Sequence, residues 1–311
     1  MSLGSKMSTD SFSASIREHV LDLAWSLWAE IGVSSWTRRH QQWAIDPEPL
    51  ILFTAYVSES DRRLHDEAVD WCIQYGTYIS VSRLRNLLKD APPDQHSAFE
   101  TFAAAVNAHS DHRWPSAAQA PKYKPTGRSS MLSFTAPALI ALRLRALFGV
   151  AARADILRVL VAEPDRHFTA SDLVPDVNYT KRNIDNALDS LTMAGLLEIR
   201  PVRNQHQHRL TVPARLLAFI DERPRLYPRW TPIFRCLASI LEIAGRADEL
   251  APPVAMVEAS RVFRQIMPFV DAAGLMRPGL QIGGVNAWQT FEAWADELSK
   301  RLAAGDDAAF G

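Results

Sequence analysis

The sequence has little cysteine and lacks a long hydrophobic run. Its two cysteines, Cys72 and Cys236, are far apart and match no Cys-x-x-Cys spacing, which favours neither a disulfide scaffold nor a zinc ribbon. The longest apolar stretch near the start, Leu50 to Val57, is far shorter than the roughly 20 residues of a membrane helix. These features predict a protein of the reducing cytoplasm that makes no membrane contact.

The short motifs of common enzyme classes are also missing. No nucleophile elbow, His-Glu-x-x-His sequence, Walker loop or dinucleotide fingerprint appears in the chain. Gly279, Gly283 and Gly284 are typical of turns rather than of a phosphate-binding loop. We therefore predict no enzymatic activity and no cofactor.

The formal net charge of -1 is an average over segments of opposite sign. Residues 1–110 carry 9 basic and 14 acidic groups, whereas residues 111–151 carry 6 and 1. Within the basic part, the stretch from Ser110 to Thr135 contains several prolines and no apolar periodicity, which is typical of a linker. The overall balance argues against a polycation that holds nucleic acid by a broad positive field.

The length of 311 residues, 47% of them hydrophobic, predicts more than one compact unit. Helical periodicity dominates both ends, so we expect a mainly α protein with a small β-hairpin in its centre. The predicted segments are an expression scar at residues 1–6, an N-terminal helical domain at 7–110, a Pro-rich basic linker at 111–136, a central domain with its lead-in helix at 137–213, and a C-terminal helical domain at 214–311.

Capping residues and apolar spacing mark the helices of the two outer segments. Asp46 is expected to cap the second helix, and Ser80 or Ser82 to open the fourth. Six of the nine tryptophans lie before residue 115. A stacking platform for bases is one interpretation, but tryptophans at helical spacing favour a packed core. Near the end, a helix from Val254 to Val270 is expected to break at Pro268.

The stretch from Pro137 to Val212 has the most specific pattern. Its lead-in helix ends at Gly149, and three further helices and a two-stranded hairpin follow. The string TKRNIDNALDSLTMAGLLEIR, which starts at Thr180, predicts a capped helix with one buried stripe and a strand after Gly195. Helix, short strand, helix, turn, helix and hairpin is the order of a winged helix-turn-helix.

Several positions of this stretch match a known pattern. They are the capping Thr180, the triplet Lys181-Arg182-Asn183, the apolar Ile184, Leu188 and Leu191, and the terminal Ala194-Gly195-Leu196. With them, Ala152 to Val212 resembles the DNA-binding domain of winged-helix bacterial transcriptional regulators of the ArsR and MarR kind. The resemblance covers roughly a fifth of the chain. It implies double-stranded DNA as a partner and a homodimer that binds two half-sites.

In such a domain the exposed N-terminal half of the recognition helix faces base edges in the major groove. The candidate base contacts in this half are Lys181, Arg182, Asn183 and Asn186. The free backbone amides at Thr180 suit a phosphate. Asp185 and Asp189 are less favourable beside DNA, and pairs with Lys181 or Arg182 on an ordinary helix surface are the alternative interpretation.

The predicted wing contains long donors and a single acidic residue, Glu198. Its candidate contacts to phosphates or to the minor groove are Arg200, Arg203, Asn204 and Arg209. A polar hairpin tip is also what any solvated turn looks like. Four arginines farther upstream are either additional phosphate contacts or side chains that extend from a core helix to water. They are Arg143, Arg145, Arg153 and Arg158.

Two histidine pairs raise the question of a metal. His206 and His208 share one face of a strand, and His109 and His112 lie near an aspartate. Neither pair has a third and fourth ligand or a thiol nearby, so we predict no metal site.

The sequence supports two functions, and a third class has no motif in its favour. The first is a DNA-binding transcriptional regulator that reads a duplex operator with its winged helix, while the helical flanks provide dimerisation or a cavity for a small-molecule effector. The second is a scaffold whose winged helix packs on protein, which the mixed charge of Asp185 and Asp189 favours. An enzyme that uses the helical cavity is a third class, without a motif in its support.

Overall fold

The structure is a computed structural model, and it describes residues 6–130, 133–211, 213–220, 222–247, 252–279 and 287–311. The predicted turn at Gly283 and Gly284 and all but the last residue of the predicted expression scar lie outside these residues. The helices are α1 (Lys6–Glu30), α2 (Pro47–Val57), α3 (Arg62–Tyr75), α4 (Val81–Lys89), α5 (Pro93–Ala108), α6 (Ile140–Phe148), α7 (Ala152–Ala162), α8 (Ala170–Val177), α9 (Lys181–Met193), α10 (Pro213–Ile220), α11 (Trp230–Arg246), α12 (Pro252–Ala273) and α13 (Ala287–Ala304). Strands β1 (Leu197–Val202) and β2 (Gln205–Leu210) form an antiparallel pair. The prediction of a mainly α chain with a small antiparallel hairpin is confirmed.

Most of the predicted helix starts have the expected caps. The hydroxyl of Ser80 accepts from the backbone N–H of Arg83 at the start of α4. Thr169 caps α8 in a capping box: its hydroxyl accepts from the backbone N–H of Asp172, and the Asp172 carboxylate accepts from the backbone N–H of Thr169. Asp46 precedes α2 as predicted, but its side chain does not cap the helix. It pairs instead with Arg83, because a buried charged partner is a stronger attraction than a backbone amide.

Two helices differ from the sequence prediction. The sequence pattern did not mark α5 as a helix, and α12 continues through Pro268 to Ala273 instead of breaking there. Proline removes one backbone hydrogen bond and usually bends a helix. Here Ile266 and Val270 are buried on either side of the proline, so packing against α11 and α13 outweighs this local cost.

The helices at the two ends of the chain bury their apolar faces against each other. Helix α1 packs on α13 and α11, and α2 packs on α11. A single hydrophobic cluster contains residues of α1 to α5 and of α11 to α13. We call these eight helices the body. The sequence predicted an N-terminal and a C-terminal helical domain, whereas their helices share one core.

A second hydrophobic cluster holds the middle of the chain. It contains the inner faces of α7, α8 and α9, one face of α6, Leu197 and Leu210 of the hairpin, and Ile220 at the end of α10. Phe168 adds one antiparallel bridge to His208 at the outer edge of β2. We call α7 to α10 with the two strands the central module. Helix α6 lies between body and module, since Leu142 belongs to the first cluster and Leu144 to the second.

The tryptophans of the front segment are mostly core, as the helical spacing favoured. Trp28, Trp43, Trp71 and Trp114 are buried. Trp36 is the exception because its side chain is fully exposed. Across the described ranges, no helix combines the length and the apolar content that a membrane crossing requires.

Candidate nucleic-acid interface

Helix α9 contacts the rest of the central module with one face only. Ile184, Leu188 and Leu191 are buried against α7 and α8, which follows from their spacing of three and four residues. The opposite face is exposed. The sequence-predicted stripe therefore sets the orientation of the helix and leaves its polar residues in water.

The turn before α9 is fixed by local and tertiary contacts. Asn178 adopts a left-handed conformation with φ of 55°, and its backbone N–H bonds Val174. Asparagine tolerates this conformation better than most residues. The buried Tyr179 donates its hydroxyl hydrogen to Asp155 at 3.2 Å. The hydroxyl of Thr180 then accepts from the backbone N–H of Asn183 at 3.4 Å, which caps α9 as predicted.

The predicted base contacts lie together at the exposed start of α9. Lys181, Arg182, Asn183 and Asn186 are all exposed, and so are Asp185 and Asp189. Among the described residues, no ion pair joins the two cations to the two aspartates. The structure places the donors on two flanks of the helix: Lys181 lies with Asp185 and Asp189 beside the hairpin, whereas Asn183 and Asn186 lie beside Ser80 and Arg153.

The hairpin exposes two of its three arginines, Arg200 and Arg203. Val202 pairs with Gln205, so Arg203 and Asn204 form the tip, and Arg203 has a φ of 53°. Both tip residues are exposed, and Arg200 is exposed on β1.

Arg209 differs from the other wing arginines. It stands directly opposite Glu198 in the strand pair, and its Nη2 lies 2.5 Å from the Glu198 carboxylate. Its Nε also donates to this carboxylate at 2.8 Å. The charge of Arg209 is therefore already offset within the hairpin, whereas that of Arg203 has no ion-pair partner in the described part of the chain.

Of the two wing histidines, His206 is exposed, whereas His208 is held within the module. His208 is buried, and burial lowers its pKa against the opposing charge of Asp189. Its backbone carbonyl and N–H both bond Phe168. His112 contacts the backbone carbonyl of Ile73, 3.0 Å away. Within the described ranges, no group of three or more His, Cys, Asp or Glu side chains could hold a metal ion.

Sequence reasoning missed a buried ionic cluster that joins the central module to the body. We call it the junction cluster. Its acids are Asp46, Glu48 and Asp155, and its cations are Arg83, Arg145 and Arg158. Asp46, Glu48 and Arg83 belong to the body, Asp155 and Arg158 to α7, and Arg145 to α6. Three negative charges therefore offset three positive charges inside the protein.

Glu48 lies at the centre of the junction cluster. It contacts Arg83, and it accepts from Arg145 at 2.7 and 2.8 Å. Arg145 also donates to Asp155 at 2.8 Å. Paired charges with several short hydrogen bonds are the arrangement that makes buried ions tolerable.

Asp46 connects the cluster to a second arginine of the central module. It accepts twice from Arg83 at 2.6 Å and once from Arg158 at 3.4 Å. Burial alone would raise the pKa of Asp46, but the charges of Arg83 and Arg158 outweigh it and hold that pKa well below its usual range. Asp46 is therefore ionised throughout the neutral pH range.

The junction cluster corrects one interpretation of the upstream arginines. Arg145 and Arg158 are 1% and 6% exposed and already paired, so neither reaches a phosphate. Arg153, at the start of α7, is exposed. The available signal was a charged residue inside an apolar run, because Asp155 precedes Ile156 and Leu157, and Arg158 follows them.

The chain matches no known protein family, no curated protein and no solved structure.

Proposed function

We propose that this chain is a DNA-binding transcriptional regulator whose central module is a winged helix-turn-helix. The module has the required order: α7, the single bridge at Phe168, α8, a short turn, α9 and the hairpin. In this proposal α9 lies in the major groove and the hairpin is the wing.

One observation carries the proposal. Helix α9 buries only one face, and its exposed start presents Lys181, Arg182, Asn183 and Asn186 on the module that also carries the exposed wing arginines Arg200 and Arg203. Lysine and arginine suit guanine acceptors, and asparagine suits adenine. The wing arginines and the capped start at Thr180 suit phosphates.

The partners follow from the same proposal. The protein binds double-stranded DNA as a homodimer, since two-fold symmetry matches two half-sites of an operator. The body supplies a surface for dimerisation or a cavity for a small-molecule effector. The protein has no catalytic activity and acts in the cytoplasm.

The decisive experiment is fluorescence anisotropy with a random duplex and with the upstream region of the gene itself, at low salt. We expect salt-dependent binding to both, and tighter binding to the upstream region. Arg203→Ala should weaken binding to both duplexes by a similar factor, because a phosphate contact carries no sequence information. Arg264→Ala, which removes the same charge from an exposed position of α12 in the body, is the matched control and should leave binding unchanged. Absence of binding at low salt would refute the proposal.

The second candidate is a protein-interaction scaffold. Asp185 and Asp189 are exposed on α9 without an ion pair in the described residues, Met193 at its end is 90% exposed, and Ile199 on β1 is 44% exposed. Exposed apolar side chains beside carboxylates suit a protein surface better than a phosphate backbone. If Met193→Ser and Ile199→Ser leave duplex binding unchanged, the result would favour the regulator. If the protein binds none of the duplexes, the result would favour the scaffold.

A further inference from the structure

A cavity of about 290 Å³ lies where the central module meets the body. Helices α7 and α8 form the wall on the module side, and the segment from Tyr227 to Pro232, which leads into α11, forms the wall on the body side. Much of its lining is apolar: Val159, Ala162, Pro175, Pro228, Trp230 and Pro232. Its size is close to the lower end of cavities that hold small organic ligands.

Two residues of this lining carry hydrogen-bond donors that lack an acceptor. Arg158 Nε and the hydroxyl of Tyr227 are both buried and have no hydrogen-bond partner in the described part of the chain. The other end of the Arg158 guanidinium donates to the Asp176 carbonyl at 3.0 Å, so the side chain is held in place. Burial raises the pKa of Tyr227 to about 12, so its hydroxyl keeps its hydrogen at neutral pH. A buried donor without an acceptor destabilises the folded protein, so an acceptor supplied by a ligand is favoured.

The first turn of α11 contributes positive potential to the same cavity. Trp230, Thr231 and Pro232 line it, and no side chain caps this helix. The residue at the cap position is Arg229, whose guanidinium is occupied by Asp176 and by the Ala272 carbonyl. The free end of a helix of this length favours an anion.

The carboxylates around the cavity do not oppose an anion, because each is already paired. Asp46 is held by Arg83 at 2.6 Å, Asp176 by Arg229 at 2.5 Å, and Glu163 by Arg166 at 3.0 Å. What the lining offers beyond these pairs is therefore two donors and an uncapped helix start, next to apolar side chains.

We propose that this cavity binds a small organic acid, a carboxylate on an apolar group. The carboxylate accepts hydrogen bonds from Arg158 Nε and the Tyr227 hydroxyl after a small adjustment of these side chains, and the apolar group packs on Val159, Pro228 and Trp230. Because the cavity has one wall in the module and one in the body, its occupation alters how the two pack. Binding of the acid does not require the proposed DNA binding, but an effect on operator affinity rests on that proposed function.

Isothermal titration calorimetry of the full chain tests the site, with benzoate as the probe and benzamide as its neutral analogue. We expect saturable benzoate binding in the millimolar range or tighter, and binding of benzamide weaker by at least about tenfold, since a charged acceptor gains more from two donors than a neutral one. The absence of saturable benzoate binding, or equal binding of the two compounds, would overturn the proposal.

Two variants locate the binding. Tyr227→Phe removes a hydroxyl that has no partner, so it should weaken benzoate binding by about tenfold without lowering the unfolding temperature. Ala162→Leu should fill part of the cavity and weaken binding as well. The matched control is Tyr123→Phe, whose hydroxyl donates to the Asp66 carbonyl at 3.0 Å outside the cavity, and it should leave binding unchanged. Equal benzoate affinity in all three variants would contradict the site.

The two proposals fail separately. Benzoate binding by a protein that binds no duplex would refute the regulator and leave the acid site standing. Duplex binding by a protein that binds no benzoate would refute the acid site alone.

Discussion

Substitution of Glu48 in the junction cluster should lower the free energy of unfolding strongly. Glu48 is fully buried and contacts both Arg83 and Arg145. Glu48→Gln keeps the shape of the side chain but leaves the arginines with one positive charge in excess. We expect the free energy of unfolding to fall by about 3–5 kcal/mol, as for other buried ion pairs that lose one partner. Urea denaturation monitored by circular dichroism measures it.

The control for this experiment is Glu59→Gln. Glu59 follows α2 in the chain but is exposed, so we expect the stability of this variant to match that of the unaltered protein. Equal stability of the two variants would mean that the junction cluster does not stabilise the fold.

His40 should make stability depend on pH. It is fully buried, its Nε2 donates to the Leu302 carbonyl at 2.8 Å, and its Nδ1 accepts from the Ser26 hydroxyl at 2.7 Å. Both ring nitrogens are thus satisfied by the neutral form, and burial lowers the pKa of His40 from 6.5 to about 4. As the pH falls, His40 binds a proton in the unfolded chain at a higher pH than in the folded protein. The stability that neutral His40 contributes is therefore fully present above its pKa in the unfolded chain, and it is lost as the pH falls toward its pKa in the folded protein.

The expected loss from this histidine between about pH 7 and about pH 5 is about 2 kcal/mol of unfolding free energy. Urea denaturation at the two pH values measures it in the unaltered protein and in His40→Gln. At the higher pH the variant should be less stable than the unaltered protein, because it loses the contacts of His40 with Leu302 and Ser26. Its free energy of unfolding should, however, fall less between the two pH values. The same decline in both proteins would assign the pH dependence to other groups.

At the scale of elements, the hairpin separates a paired arginine from an unpaired one. Arg209 is held by Glu198 on the opposite strand, whereas Arg203 at the tip is exposed and unpaired among the described residues. If the hairpin contacts phosphates, Arg209→Ala should weaken duplex binding less than Arg203→Ala, because the carboxylate already offsets its charge. Anisotropy at several salt concentrations compares them, and only Arg203→Ala should reduce the salt slope, by about 1. A larger effect of Arg209→Ala would mean that its pair with Glu198 opens on DNA.

How much of each element could be predicted depends on where its determinants lie. Ser80 and Thr180 each cap a helix by accepting from a backbone N–H three residues later, so the local sequence was enough to predict both helix starts. The course of α12 through Pro268 depends on packing against other helices, which no local pattern contains. The pairing of Arg145 with Glu48 joins residues 97 positions apart, so the sequence displayed each charge but not its partner.

At the scale of the whole molecule, the near-zero net charge and the junction cluster both bear on how the protein could bind DNA. The formal net charge of -1 gives no broad positive field, so any hold on DNA depends on a few placed donors. The junction cluster joins the module to the body through short bonds between α2, α4, α6 and α7.

The shared core of the body predicts how the molecule responds to a cut in its linker. Ala117 to Ala120 are exposed and have no regular structure, so a protease site between Gln119 and Ala120 should be cleaved without unfolding the protein. The two fragments should then elute together in gel filtration, because α1 and α2 are buried against α11 and α13. The rest of the linker adds to this hold, since Asp70 of α3 accepts from the backbone of Thr126, Gly127 and Arg128. Concentrated guanidinium should separate the fragments and serves as the control, and separation without denaturant would favour two independent helical domains.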